Sequence, residues 1–297
     1  MPYICLKIGE FSMFKSVHFH PLAALVAAFF WSLIATTAYA APSAELIPKW
    51  QAHNPASQTV IDHSPLDNFL KTYRYVGEDG IARIRYNRVH QSDQTTLNAY
   101  VTTLEGVRVS DLNRNEQFAY WVNLYNAGTL KIILDHYPVQ SIRDINISPG
   151  FFSSGPWGKT FLKVEGSELS LDNIEHGILR PIWQDPRTHY VVNCASLGCP
   201  DIPQKALTAA NAEDMKEAAA RSFINHRRGV RISDQGDVYA SSIYDWFGSD
   251  FGKNDAEILG HIRLFANPKL LDKLSGKTDI EGFSYDWDLN GDPDPNG

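Results

Sequence analysis

The chain has 297 residues, 43% hydrophobic and 12% aromatic, with 34 acidic side chains against 27 basic ones and a formal charge of −7. Such a composition supports a full globular core, and an acidic balance without a basic cluster excludes nucleic acid as a partner. No internal repeat or long low-complexity linker divides the sequence.

The amino terminus carries an address. An apolar run from Leu22 to Ala35, containing Phe29 and Phe30, follows Lys15 and precedes Ala38-Tyr39-Ala40, a small-x-small cleavage pattern. Residues 1–40 therefore read as a secretory signal, with Met13 as an alternative start that shortens the charged region to Met13-Phe14-Lys15. A retained membrane anchor is the competing reading, but the charge-free stretch is near the lower limit for spanning a bilayer and the cleavage pattern favours removal. No cysteine sits at the cleavage point, so lipid anchoring there is not indicated. The expected mature protein, residues 41–297, is periplasmic or secreted, carries a formal charge of −8 and has no stable membrane anchor. Cys5 leaves with the signal, and Cys194 and Cys199 remain in a compartment where thiols oxidise by default.

In chain order, Ser64-Pro65 spells a helix cap with proline in the first turn, and Ser92-Asp93 opens a helical stretch that ends at Gly106. Ser110-Asp111 opens the longest helix, running to about Tyr137 and stopped by Pro138. The run KTFLKVEGSELSL reads as a strand, a Gly166-Ser167 turn and a short partner strand. Ser170 caps a helix through Leu179 that Pro181 cannot continue, and THYVVNC reads as an apolar strand. A helix over residues 208–228 with Thr208 as cap, a hairpin around Asp234 to Gly236, and a helix from Asn254 to Ala266 complete the pattern. Helices outnumber strands and no βαβ alternation is present. The predicted fold is α+β: a helix-rich single domain, residues 41–297, with a central buried helix and a small, mainly antiparallel sheet.

The longest helix holds most of the interest. Phe118, Trp121, Val122, Leu124, Tyr125, Leu130, Ile132 and Ile133 fall on every side of it, which predicts burial all round. Glu116, Asn123 and Asn126 form one polar stripe on this apolar background. Buried polar groups need partners, so the stripe either satisfies neighbouring backbone or walls a polar pocket; the first is the commoner arrangement. In SLDNIEHGILRP, Glu175 shares the core face with Leu171, Ile174, Ile178 and Leu179, while His176 points to the flank. A core-side carboxylate must be paired, and Arg180, Arg187 or His176 are the candidates.

The runs NEQFAYWVNLYNA, YPVQSIRDI, GPWGK, LSLDNIEHGILRP, DPRTHYVVNCASLGCP, YDWFGSDFG and YDWDLN together resemble the family catalogued as domain of unknown function 547. The resemblance covers nearly the whole mature chain and implies a bacterial exported protein, but no established activity. It marks Glu175, His176, Arg180, Asp185, Arg187, Asn193, Cys194 and Cys199 as family-motif positions.

Two chemistries compete for the cysteines. In one, Cys194 and Cys199 close a disulfide over Ala195 to Gly198 and staple a non-catalytic binding or scaffold domain. Because the loop is short, such a staple adds stability at the low end of the usual ~2–4 kcal/mol. In the other, Cys194 is the nucleophile of a thiol-dependent acyltransferase or hydrolase, with His176 as base, Glu175, Asn123 or Asn126 orienting the imidazole, and turn amides of residues 195–198 as an oxyanion hole. Glu116, Arg180, Arg187, His189 and Asn193 would line the pocket for a small-molecule, peptide or envelope ligand. A zinc site from Cys194, Cys199, His176 and His189 ranks last, since the C-x4-C spacing is loose and no second CxxC or HExxH is present. No metal or other cofactor is expected. The Asp286, Asp288, Asn290, Gly291 run imitates half a calcium loop but meets Gly297 at position twelve, where a bidentate glutamate is required. Asn146-Ile147-Ser148 is a glycosylation sequon by spelling alone, followed by proline.

Overall fold

A computed structural model describes residues 43–150 and 155–292. The secretory-signal reading of residues 1–40, Met13 included, lies outside the described residues, as does Gly297. No helix among the described residues is long and apolar enough to cross a membrane.

The protein is an α+β fold in which helix α1 (Ser64–Tyr73) packs on α2 (Gln91–Glu105), which in turn packs beside the long α3 (Arg114–His136). Every residue of α3 from Glu116 to Leu130 is buried, as the all-round apolar pattern predicts. Trp121 sits edge-on to both Trp50 and Tyr120 at 4.9 Å, within a continuous apolar cluster. The helix starts later than Ser110-Asp111 because the Asn113 side chain, accepting from the Glu116 amide, is the effective cap; Val109–Asp111 forms a 3-10 turn ahead of it.

Helix α4 is composite. It runs as α-helix over Leu171–Ile174, widens to a π segment over Glu175–Leu179, and resumes over Arg180–Trp183. Ser170 caps it through a reciprocal pair with Asn173, but it does not stop at Leu179 as expected. In the π segment the Arg180 amide bonds to Glu175 O, five residues back, and this wider turn accommodates Pro181, which an α-register would set against the carbonyl of Gly177. Such π segments concentrate at functional sites.

Beyond α4 come α5 (Ala212–Ile224), the short α6 (Ile243–Trp246) and α7 (Gly248–Phe251), then α8 (Asp255–Phe265) and α9 (Pro268–Lys273). The strands form three small sheets instead of one. β1 (Arg74–Val76) pairs with β2 (Ala82–Ile84), and β3 (Leu162–Val164) with β4 (Ser167–Leu169), both antiparallel. β5 (Val230–Ile232) pairs antiparallel with β6 (Val238–Ser241), which takes β7 (Gly282–Ser284) in parallel on its other side.

THYVVNC is not a strand. Residues Pro186–Tyr190 form a 3-10 turn that carries on through Val191, and the chain then continues without a strand partner as far as the isolated bridge at Ser196. Its β-propensity is overridden because Asn126 of α3 binds Val191 O and the Asn193 amide, both at 2.9 Å, where a sheet partner would otherwise be needed. The segment passes from one apolar cluster, at Tyr190, to the other, at Val191 and Val192.

Candidate functional site

The site is assembled where this segment turns. Asn193 fixes the turn from inside: its Oδ1 accepts from the Ala195 amide at 2.9 Å and from Asn290 Nδ2 at 3.2 Å, and its Nδ2 donates to Pro200 O at 2.8 Å. Ala195 adopts φ +58°, a left-handed conformation that costs a non-glycine residue about 1 kcal/mol. The loop then pairs with the carboxy-terminal segment through Leu197 N to Asp288 O and Gly198 N to Asp286 O, both 2.8 Å, and Asn290 N to Ala195 O at 3.0 Å. A Cβ on Gly198 would lie 2.6 Å from the Asp286 amide nitrogen, so only glycine permits this approach. The pairing brings Tyr285 onto Cys194.

Cys194 and Cys199 are free thiols. The expected disulfide is not present; the two thiols are neighbours that hydrogen-bond one another without being joined. Cys199 Sγ lies under the backbone, accepting from the Cys194 amide at 3.1 Å and facing Val192 O at 3.8 Å. Cys194 Sγ turns to Tyr285 Oη at 2.9 Å and Ser196 Oγ at 3.3 Å, and those two hydroxyls are 2.8 Å apart. Burial pushes both thiols up. For Cys194 the hydrogen bonds from Cys199, Ser196 and Tyr285 outweigh burial and hold it below the ordinary thiol value, whereas Cys199 is held well above its own. Cys194 is therefore the member of the pair that ionises.

A buried ionic chain adjoins the sulfurs. His189, stacked on Phe247 at 4.4 Å, directs Nε2 to Asp250 Oδ2 at 2.7 Å and Nδ1 to Glu175 Oε1 at 3.4 Å. Burial opposes charge on this ring, yet the two carboxylates outweigh it and raise the histidine above its ordinary value, favouring the protonated form that donates on both sides. Against burial, His176, His189 and a hydrogen bond from Tyr125 lower Glu175 to about 2. Arg180 grips Asp250 through Nε to Oδ2 at 2.6 Å and a second nitrogen to Oδ1 at 3.1 Å. It also donates to His176 Nδ1 at 3.1 Å. Since Arg180 can only donate, Nδ1 of His176 is an acceptor and its proton sits on Nε2, 3.7 Å from Asp172 Oδ1. Burial, reinforced by Arg180, lowers His176 to about 4 and leaves it neutral near pH 7; burial and the Glu175 charge raise Asp172 to about 6.

Several expectations need correction. Neither ring nitrogen of His176 hydrogen-bonds Cys194, because Arg180 and Asp172 occupy them, and His176 is buried at 8% exposure instead of standing on the flank. Of the expected partners of Glu175, His176 interacts with it electrostatically, His189 and Tyr125 bond to it as well, and Arg187 does not, its guanidinium lying on Asp185 and Glu213. The polar stripe of α3 serves the backbone and does not wall a pocket. Glu116 Oε1 accepts from Ile61 N at 2.7 Å, Asn123 clamps Leu207 through bonds of 2.8 and 2.9 Å, and Asn126 holds the Val191–Asn193 segment. The turn amides of Ala195, Leu197 and Gly198 are already bonded, which removes three of the four expected oxyanion donors. Among the described residues no group of three or more His, Cys, Asp or Glu is placed to hold a metal ion.

Sequence reasoning missed Tyr125, Ser196, Asp250 and Tyr285. Asp250 and Tyr285 lie inside the YDWFGSDFG and YDWDLN runs, but nothing local connects them to residues more than fifty positions away.

Comparison with known families gives a match over part of the chain. Residues 109–224 fit the family model described as "Protein of unknown function, DUF547", which supports the resemblance over that stretch. The match spans α3, α4, both cysteines and α5, and it ends before Asp250 and Tyr285. No curated protein and no solved structure matches the chain.

Proposed function

We propose that the protein is an exported enzyme of the thiol-dependent acyl-transfer or hydrolase class, with Cys194 as nucleophile. The observation that carries this reading is the environment of one sulfur. Cys194, partly exposed, receives hydroxyl donors from Tyr285 and Ser196, while its neighbour Cys199 is buried and stays protonated.

In the reaction Cys194 Sγ adds to a carbonyl carbon, the carbon–nitrogen or carbon–oxygen bond breaks, and a thioester forms. The proton released by the thiol reaches the departing atom through the Tyr285–Ser196 hydroxyl pair, whose oxygens are 2.8 Å apart. Water, or an acceptor amine or alcohol, then attacks the thioester and releases Cys194. His176 does not act as base on this sulfur. Neutral and bonded to Arg180, it supports the charged run of Glu175, His189, Asp250 and Arg180, and it is a positioning residue. Export rests on the amino-terminal signal pattern.

The test is the pH dependence of iodoacetamide alkylation, resolved by peptide mass. Cys194 is expected to alkylate with a midpoint below the ~8.5 of a free cysteine and Cys199 to resist until denaturation. A Cys194 that titrates at or above the free value would sink the reading.

A further inference from the structure

The π segment of α4 leaves main-chain acceptors without intrahelical partners. Pro181 has no N–H to offer Gly177, and the wide register frees the preceding carbonyl as well. Both are bound from outside the helix by an extended amino-terminal strap: Glu45 N donates to His176 O at 3.0 Å and Ile47 N to Gly177 O at 2.9 Å. These are strand-addition contacts made to a helix. Gly177 accommodates them, since a Cβ there would stand 2.6 and 2.8 Å from the Cδ1 and Cγ1 atoms of Ile47. Past Ile47 the strap is tied down again, with Trp50 buried in the main cluster and Lys49 Nζ on Ser167 Oγ at 2.8 Å.

The two carbonyls belong to His176 and Gly177, directly after Glu175. In an α-register the side chains of this turn would be rotated relative to their present directions, and Glu175 would leave His189. We infer that the strap Glu45–Ile47 is a main-chain lock that holds the π register of α4 and thereby positions Glu175 against His189. Ile47 and Gly177 are its positioning residues. The lock is independent of whether Cys194 performs chemistry: its effect is read at the ionic chain and not at the sulfur. It also assigns work to residues that follow the expected cleavage point by only a few positions, so trimming this end would unlock the site without touching any of its side chains.

Proline at 47 isolates the main-chain bond. Ile47 has φ −89° and ψ 104°, a modest shift from the roughly −65 ± 15° that proline fixes, so Ile47→Pro deletes the donor to Gly177 O at the cost of a small backbone adjustment. Ile47→Ala deletes the side chain and keeps the donor. In histidine-labelled protein followed by NMR, Ile47→Pro is expected to lower the His189 titration midpoint by one pH unit or more, a tenfold loss of proton affinity, while Ile47→Ala stays within twofold of the wild type. Gly177→Ala presses only on the Ile47 side chain, so combined with Ile47→Ala it is expected to stay within twofold of the wild type as well. An unchanged His189 midpoint in a folded Ile47→Pro protein would overturn the inference, and so would equal shifts in the proline and alanine variants, which would make the strap ordinary packing. Alkylation of Cys194, measured in the same samples, reports separately on the thiol reading.

Discussion

The imidazole of His189 donates through Nε2 to Oδ2 of Asp250 at 2.7 Å, joining the turn ahead of the sulfur-bearing segment to helix α7. The bond closes a run of alternating charges, Glu175, His189, Asp250 and Arg180, whose two cationic members pack against Phe247. The two inner members, His189 and Asp250, are each compensated by opposite charge on two sides, and pairing of this kind is what lets ions be tolerated inside a protein. The array is stable as a whole and costly to break in part.

Glu175→Ala should therefore destabilise the fold by ~3–5 kcal/mol, because it strands a buried imidazolium beside one carboxylate instead of two. Urea unfolding gives the number. A loss under ~1 kcal/mol would mean that His189 is neutral and that the array is not charged as described.

The pH profile of stability follows from the same groups. Glu175 is lowered to about 2, so its contribution is fully present above the ordinary carboxylate value and disappears as pH falls toward 2. His176, lowered to about 4, acts in the same direction: its contribution is present above the ordinary histidine value and is lost as pH falls through 4. His189 is raised, so its contribution is complete below the ordinary histidine value and is lost as pH rises through its folded value. Unfolding free energies measured from pH 3 to pH 9 should decline on both sides of a maximum near pH 6. In His189→Gln the alkaline decline should flatten, while an acid decline persists through His176.

The sequence announces the individual parts of this site better than their connections. Burial of α3 on all sides is legible because apolar residues cover every angle of its wheel, and the hairpin and the capped helix at Asn254 are legible because their turn and cap residues are local. The strand expected at THYVVNC fails because propensity describes side chains, whereas the outcome turns on who satisfies the backbone; Asn126, sixty-five residues earlier than Val191, does so. The π segment escapes the helical wheel for a related reason. A constant angle per residue cannot represent one wide turn, and so His176 is placed on the flank when it is buried. Tyr285 and Asp250 stay unseen because their roles exist only once the chain has closed on itself.

The hydroxyl at Tyr285 is expected to set the reactivity of Cys194. Tyr285→Phe removes the donor at 2.9 Å but keeps the ring packed against Trp246 and Trp287. The alkylation midpoint of Cys194 should rise, with several-fold slower labelling at neutral pH and little change in thermal midpoint. Ser196→Ala, at 3.3 Å from the sulfur, should act in the same direction and more weakly. If neither moves the midpoint, the thiolate is not stabilised by these hydroxyls.

Gly198 tests the link between the loop and the carboxy-terminal segment. An added Cβ would press on Asp286 backbone atoms at 2.6 and 2.8 Å, which cannot rotate away as a side chain could. Gly198→Ala should cost ~1–3 kcal/mol in urea unfolding through this overpacking. It should also slow Cys194 alkylation, because the segment that retreats carries Tyr285 with it. Ala195→Gly provides the contrast in the same loop. Relief of the left-handed alanine, about 1 kcal/mol, is offset by the greater chain entropy of glycine, about 0.5–1 kcal/mol, so stability should stay nearly constant. Loss of thiol reactivity in Gly198→Ala but not in Ala195→Gly would show that the position of Tyr285, and not general loosening of the loop, controls the sulfur.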